Sequence, residues 1–105
     1  MAGAVLSVAI VGVAAAMTVG LASVGAAAAF AQRLAGAADA AALAAADTAA
    51  GAMPGDPCDR AGEVAATSQA VVTACEVADL TVTVTVSAPF GQFVAKASAR
   101  AGPPP

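Results

Sequence analysis

Histidine, tyrosine and tryptophan are absent from this 105-residue chain, and only 10% of its residues are charged. Without histidine, the side chain that most often serves as general base and metal ligand is missing. The four basic residues form no cluster, whereas binding to phosphates requires clustered Lys or Arg. The composition therefore excludes histidine-based metal or acid–base chemistry and disfavours nucleic-acid binding.

Charge is missing altogether before Arg33. Residues 1–31 are apolar or small except for Ser7, Thr18 and Ser23. Because about 20 apolar helical residues cross a bilayer core, this run is long enough to span a membrane. The sequence therefore predicts a transmembrane helix over residues 1–31.

A cleaved secretory signal is the rival interpretation of this run. Residues 29–31 (Ala-Phe-Ala) before Gln32 have the small-x-small form of a cleavage site. However, no Lys or Arg precedes the run, and it exceeds the usual apolar region of about 7–15 residues in a signal. These features favour a retained helix over a secreted protein.

Small residues recur along this helix at four-residue spacing. Gly12, Ala16 and Gly20 form one such series, and Gly25 and Ala29 repeat the spacing further on. Small residues at this spacing let helix backbones approach closely in lipid, so they are candidate helix-packing positions. The alternative is that small residues are simply abundant here.

The helix is not expected to end at Arg33. Residues 32–52 are mostly alanine, the best helix former, and Gly36 weakens the segment by only about 1 kcal/mol. We predict one helix from about Val5 to Ala50, roughly 70 Å long. Its second half, a stalk over residues 32–52, needs a partner surface because its apolar face is weak.

Two charged residues on the stalk form a candidate polar pair. Arg33 and Asp39 lie among alanines, where a charged group usually marks a polar partner or a solvent-facing stripe. One interpretation is pairing between neighbouring copies of the chain, and the other is simple exposure.

A small head is predicted over residues 53–101. Residues 53–57 (Met-Pro-Gly-Asp-Pro) break the stalk, and a short helix follows from Asp59 to Ala70, with Asp56 or Asp59 as its N-cap. Asp56, Asp59 and Glu63 lack the spacing of a calcium loop. We interpret them as solvated acids near a helix N-terminus.

The rest of the head alternates with the period of β-strands. Residues 80–87 alternate Leu or Val with Thr or Ser, which is the strongest strand signal in the chain. Before this run, Val71, Thr73, Cys75 and Val77 are expected to form a partner strand. After it, Phe93, Ala95, Ala97 and Ala99 alternate with Val94, Lys96, Ser98 and Arg100, and one face of the sheet is expected to be apolar and inward-facing. The prediction is an α+β fold: a long helix, a short helix and a three-stranded antiparallel meander packed on the stalk. Residues 102–105 form a Pro-rich tail.

The two cysteines, Cys58 and Cys75, lie in the head. They indicate a disulfide if that side of the membrane is oxidising, and two buried free thiols otherwise. A disulfide closing this short loop is expected to stabilise the head by about 3 kcal/mol.

No catalytic set is visible in the sequence. Cysteine or serine nucleophiles need an activating base, and the chain has no histidine to supply one. We therefore expect neither an enzyme nor a cofactor.

The chain resembles the TadE-like proteins of actinobacterial tight-adherence (Flp-type) pilus and secretion loci. The resemblance lies in residues 3–9 (GAVLSVA), residues 31–44 (AQRLAGAADAAALA), and the pair Cys58 and Cys75 around a short helix before the Val/Thr strand. The run from Gln32 to Ala44 is the most specific part.

This resemblance implies a minor pilin or pseudopilin, a structural or assembly subunit of a pilus or related secretion system. Its partners would be the membrane, other pilin-like subunits and the assembly machinery in a hetero-oligomer. Its location would be the cytoplasmic membrane, single-pass, with the head outside the cytoplasm or in a surface pilus. The alternative function is a generic anchor, or a secreted protein, that presents a small binding domain.

Overall fold

The computed structural model describes residues 1–105 and confirms the predicted elements. A long helix and a short helix precede three antiparallel strands in the order β1-β2-β3. The molecule measures 75 × 29 × 16 Å, so it is a rod with a head at one end. The elements are α1 (Ala2–Ala49), α2 (Pro57–Ala66), β1 (Val71–Ala78), β2 (Thr81–Phe90) and β3 (Phe93–Ala101).

Helix α1 is continuous over 48 residues, or about 72 Å. It passes through Gly36 without a break. It ends just before Gly51, whose φ of 86° is left-handed. The Gly51 amide donates to the Thr48 carbonyl, and the Ala52 amide donates to the Asp47 carbonyl. This is the Schellman pattern, so a glycine cap ends the helix before the proline-rich breaker is reached.

Helix α2 is shorter than predicted and starts earlier. Asp56 is its N-cap and accepts hydrogen bonds from the amides of Cys58 (2.9 Å) and Asp59 (3.1 Å). Pro57 occupies the first helical position, where its missing N–H costs nothing. The helix ends at Ala66 rather than Ala70 because residues 67–69 form turns and Gln69 takes a φ of 56°.

Removing this cap is expected to loosen the start of α2. Asp56→Ala should lower the free energy of unfolding by about 1 kcal/mol, because two helix amides lose their acceptor. Asp56→Asn keeps an acceptor and should cost clearly less. Equilibrium unfolding of the detergent-solubilised full chain measures both, and equal losses would show that charge, not capping, matters here.

The sheet is a meander with one irregularity. β2 pairs with both neighbours, and the β1–β2 register shifts between Val72 and Ala74. Because of this bulge, Val72 and Cys75 both pack against the core. Of the alternate residues Val71, Thr73, Cys75 and Val77, only Cys75 packs against the core, and the other three are exposed.

Two further strand expectations need correction. β2 begins at Thr81, so Leu80 lies in the preceding turn and is exposed rather than inward-facing. On β3, Ala95, Ala97 and Ala99 contact the core as predicted, but Phe93 is 75% exposed. Phe93 lies beside the β2–β3 turn, at the end of the sheet.

The core lies between the stalk half of α1 and the sheet. It contains 14 buried residues, of which four are larger than alanine (Leu34, Val82, Val84 and Val86) and the other ten are alanines. The buried positions of α1 begin at Leu34 and recur at helical spacing up to Thr48. Small side chains on both layers therefore let the helix lie close to the sheet.

Candidate functional site

The bare segment, residues 2–29 of α1, is the largest uncovered feature of the molecule. None of its side chains is buried, and many are large and apolar. One helix in the chain, α1, is long and apolar enough to cross a membrane. Such an exposed apolar surface indicates a lipid or protein environment.

The hydroxyl groups of the bare segment are all satisfied within the helix. Ser7, Thr18 and Ser23 each donate a hydrogen bond to the carbonyl oxygen four residues earlier, at 2.8–2.9 Å. In hydrocarbon there is no water to serve as acceptor, so a polar group must be satisfied by protein. The three polar side chains are therefore compatible with a lipid-facing helix.

The small-residue series lies on one side of the bare segment. Gly12, Ala16 and Gly20 are separated by about 40° per step around the axis. A Cβ added at Gly12 or Gly20 would meet nothing within 4 Å. No contact inside the chain requires glycine there, and lateral packing against another helix stays a prediction.

The candidate polar pair is not formed within one chain. Arg33 and Asp39 are both exposed and lie six residues apart, so they point about 120° away from each other. The salt bridge in the chain joins Arg60 and Glu63 at 2.9 Å. Pairing of Arg33 with Asp39 of another copy stays a prediction.

The two cysteines are joined in a disulfide across the head. Cys58 lies in the first turn of α2, and its Cα is 5.9 Å from that of Cys75 on β1. Cys75 in turn pairs with Val84 of the central strand. The disulfide therefore fixes α2 to the sheet, beside the stalk.

A groove of about 540 Å³ opens where α1 enters the head. It lies between α1, the end of α2 and the end of β2, and its wall includes Phe30, Arg33, Val64, Gln69 and Pro89. Arg33 is its only charged residue, and no carboxylate lines it. No three His, Cys, Asp or Glu side chains come together anywhere as a metal site. The groove therefore offers neither an acid–base pair nor metal ligands.

One aromatic contact was not predicted from the sequence. The rings of Phe30 on α1 and Phe90 on β2 lie 4.8 Å apart, inclined at 38°. The sequence signal for it is residues 90–93 (Phe-Gly-Gln-Phe), a turn flanked by two of the three phenylalanines. This contact lies at the end of the sheet that faces the bare segment.

The chain matches no protein-family model, no curated protein and no solved structure.

Proposed function

We propose that the chain is a single-pass structural subunit of a pilus-like envelope assembly, a minor pilin or pseudopilin of the TadE-like type. One observation carries the proposal: α1 is a single helix, bare over its first half and the spine of the head over its second. A subunit built in this way holds its head rigidly on a helix that packs laterally against others.

The membrane is the environment that suits the bare segment. Residues 1–31 form about 45 Å of helix without charge, compared with about 30 Å of hydrocarbon in a bilayer. The internal hydrogen bonds of Ser7, Thr18 and Ser23 support the same placement. The helix has length to spare, which allows it to tilt or to reach through the interface.

The disulfide supports a location of the head outside the cytoplasm. Disulfides persist in oxidising compartments and are rare in reducing ones. The Cys58–Cys75 bond follows the apolar helix in the chain, so the helix would cross the cytoplasmic membrane once with its C-terminal head on the outer side.

The alternative functions fit the geometry less well. A generic anchor with an independent head predicts a helix that ends near Arg33, whereas α1 continues to Ala49 and supplies half of the core. A secreted protein cleaved before Gln32 would lose Phe30, which contacts Phe90 in the head. Both observations support a retained, continuous helix.

The test of this proposal is to enlarge the small-residue face. Gly12→Leu with Gly20→Leu keeps the segment apolar and clashes with nothing in the chain, so membrane insertion should survive. Close helix approach should fail, and recovery of cross-linked partner subunits from native membranes should fall about tenfold, with loss of filaments.

A matched control places two leucines on the opposite side of the helix. Ala14→Leu with Thr18→Leu lies about 160–200° from the centre of the Gly12–Gly20 face and should leave partner recovery unchanged. If the glycine variant also recovers partners and filaments at wild-type levels, the packing role is wrong and the plain anchor is the better proposal.

A further inference from the structure

The turn between β2 and β3 exposes apolar side chains that no part of the chain covers. We call residues 90–94 (Phe-Gly-Gln-Phe-Val) the hairpin tip. Phe93 is 75% exposed and Val94 is 67% exposed. Gly91 takes a φ of 59°, as in the tight two-residue turns that favour glycine at this position. The fold therefore holds two large apolar side chains outward on a short, well-defined turn.

The hairpin tip lies at the end of the head that faces the bare segment. The Phe90 ring contacts the ring of Phe30 at 4.8 Å, and Phe30 is one residue from the end of the predicted span. The β1–β2 turn at Leu80 lies at the opposite end of β2, about 30 Å away. Of the two sheet ends, the tip is therefore the one at the level where α1 would leave the bilayer.

Charge around the tip suits the surface of a membrane. No charged residue occurs between Asp79 and Lys96. Lys96 lies on β3, two residues after Val94, and pairs with Ser87 of β2. Arg33 follows Phe30 by about one turn of α1. Apolar side chains such as Phe, with Lys or Arg side chains beside them that reach the headgroups, are a common pattern of interfacial membrane contacts.

We propose that the hairpin tip is a second membrane contact, in which Phe93 and Val94 enter the interfacial layer of the leaflet from which α1 emerges. Arg33 and Lys96 then lie at the level of the lipid phosphates. The tip stops at this layer, because the free backbone groups of its turn need water or headgroups as partners. This inference rests on the membrane anchor of the proposed function, and it means that the head lies against the bilayer.

The absence of tryptophan and tyrosine from the chain makes the contact measurable. Phe93→Trp places one fluorophore on the tip, at a site exposed enough for the larger ring. The full chain is reconstituted in phosphatidylcholine–phosphatidylglycerol vesicles with or without brominated acyl chains. We expect a blue-shifted emission and at least about twofold stronger bromolipid quenching than for a tryptophan remote from the tip.

Two further single-tryptophan variants provide the references. Leu80→Trp reports the far end of the head and should emit as in water with little quenching. Leu21→Trp lies about 13 Å deeper than Phe30 along the helix and should be quenched most strongly. Non-reducing peptide mapping of each variant should find the Cys58–Cys75 bond, which reports a folded head.

The outcomes separate this inference from the anchor itself. If the Leu21→Trp variant is not quenched, the membrane anchor fails and the inference fails with it. If that variant is quenched but the Phe93→Trp variant behaves like the Leu80→Trp variant, the anchor stands and the tip does not touch lipid. A blue-shifted emission of the Phe93→Trp variant without bromolipid quenching would overturn the inference in favour of contact with another protein subunit.

Discussion

Removing the disulfide is expected to lower the free energy of unfolding of the head by about 3 kcal/mol. The bond spans 17 residues in sequence. Closing a loop of this size stabilises the folded state by about 3 kcal/mol, because the bond restricts the unfolded chain. Ten of the 14 core residues are alanines, which bury little apolar area. A loss of this size is therefore a large part of the stability of the head, and Cys58→Ser with Cys75→Ser should leave it largely unfolded at 37 °C.

Hydrogen exchange of the β2 amides in lipid nanodiscs measures this loss, because β2 is the central strand. Reducing the wild-type protein should reproduce the effect, whereas a reductant should change nothing further in the double variant. Protection of β2 at the wild-type level in the double variant would show that packing alone holds α2 on the sheet.

Enlarging one side chain on the buried face of the stalk is expected to lower the free energy of unfolding by about as much as loss of the disulfide. Ala41 is 0% exposed, on the face of α1 that carries the buried residues. Ala41→Leu adds three carbons where the helix lies close to the sheet, and overpacking of this kind costs about 1–3 kcal/mol or more. We expect about 3 kcal/mol, because the backbone must move where there are few long side chains to adjust.

The matched control is Ala35→Leu, an exposed position on the same helix. It should change stability by less than about 0.5 kcal/mol. Urea unfolding of the detergent-solubilised full chain compares the two variants. Equal stability for both would mean that the gap between helix and sheet holds a leucine and that alanine is not required there.

The sequence predicted the elements of the head because each carried a strong local pattern. The alternation of Val82, Val84 and Val86 with threonines is unambiguous for a strand with one buried face, and all three valines are buried. The alanine content of residues 32–49 likewise predicted helix on propensity alone.

What could not be predicted depends on contacts distant in sequence. The bulge between Val72 and Ala74 lets Val72 and Cys75 share one face, and no local pattern encodes it. The end of α1 lies within one residue of the predicted Ala50, but the cap that ends it could not be singled out, because Gly51 is one small residue among many. Alternation alone also does not show which phenylalanine at the β2–β3 turn contacts α1: Phe90 packs on Phe30, whereas Phe93 is left exposed.

The packing surface on the bare segment could not be predicted for a different reason, which is that it involves a second chain. Whether Gly12, Ala16 and Gly20 meet another helix is a property of two chains. The sequence gives the spacing of these residues, and the structure of one chain shows that they are exposed. Neither contains the partner helix against which they would pack.

Because α1 is unbroken, it also fixes the direction in which the Gly12–Gly20 face points relative to the head. Since each residue turns the helix by about 100° and raises it by about 1.5 Å, the direction of the Gly12–Gly20 face relative to the sheet is fixed by the number of residues between them. One residue inserted between Gly20 and Phe30 would swing that face by more than a quarter turn while leaving the head intact. In the proposed assembly, the length of this stretch would therefore set the rotational orientation of each head about the filament axis, and with it the side of the head that meets each neighbour.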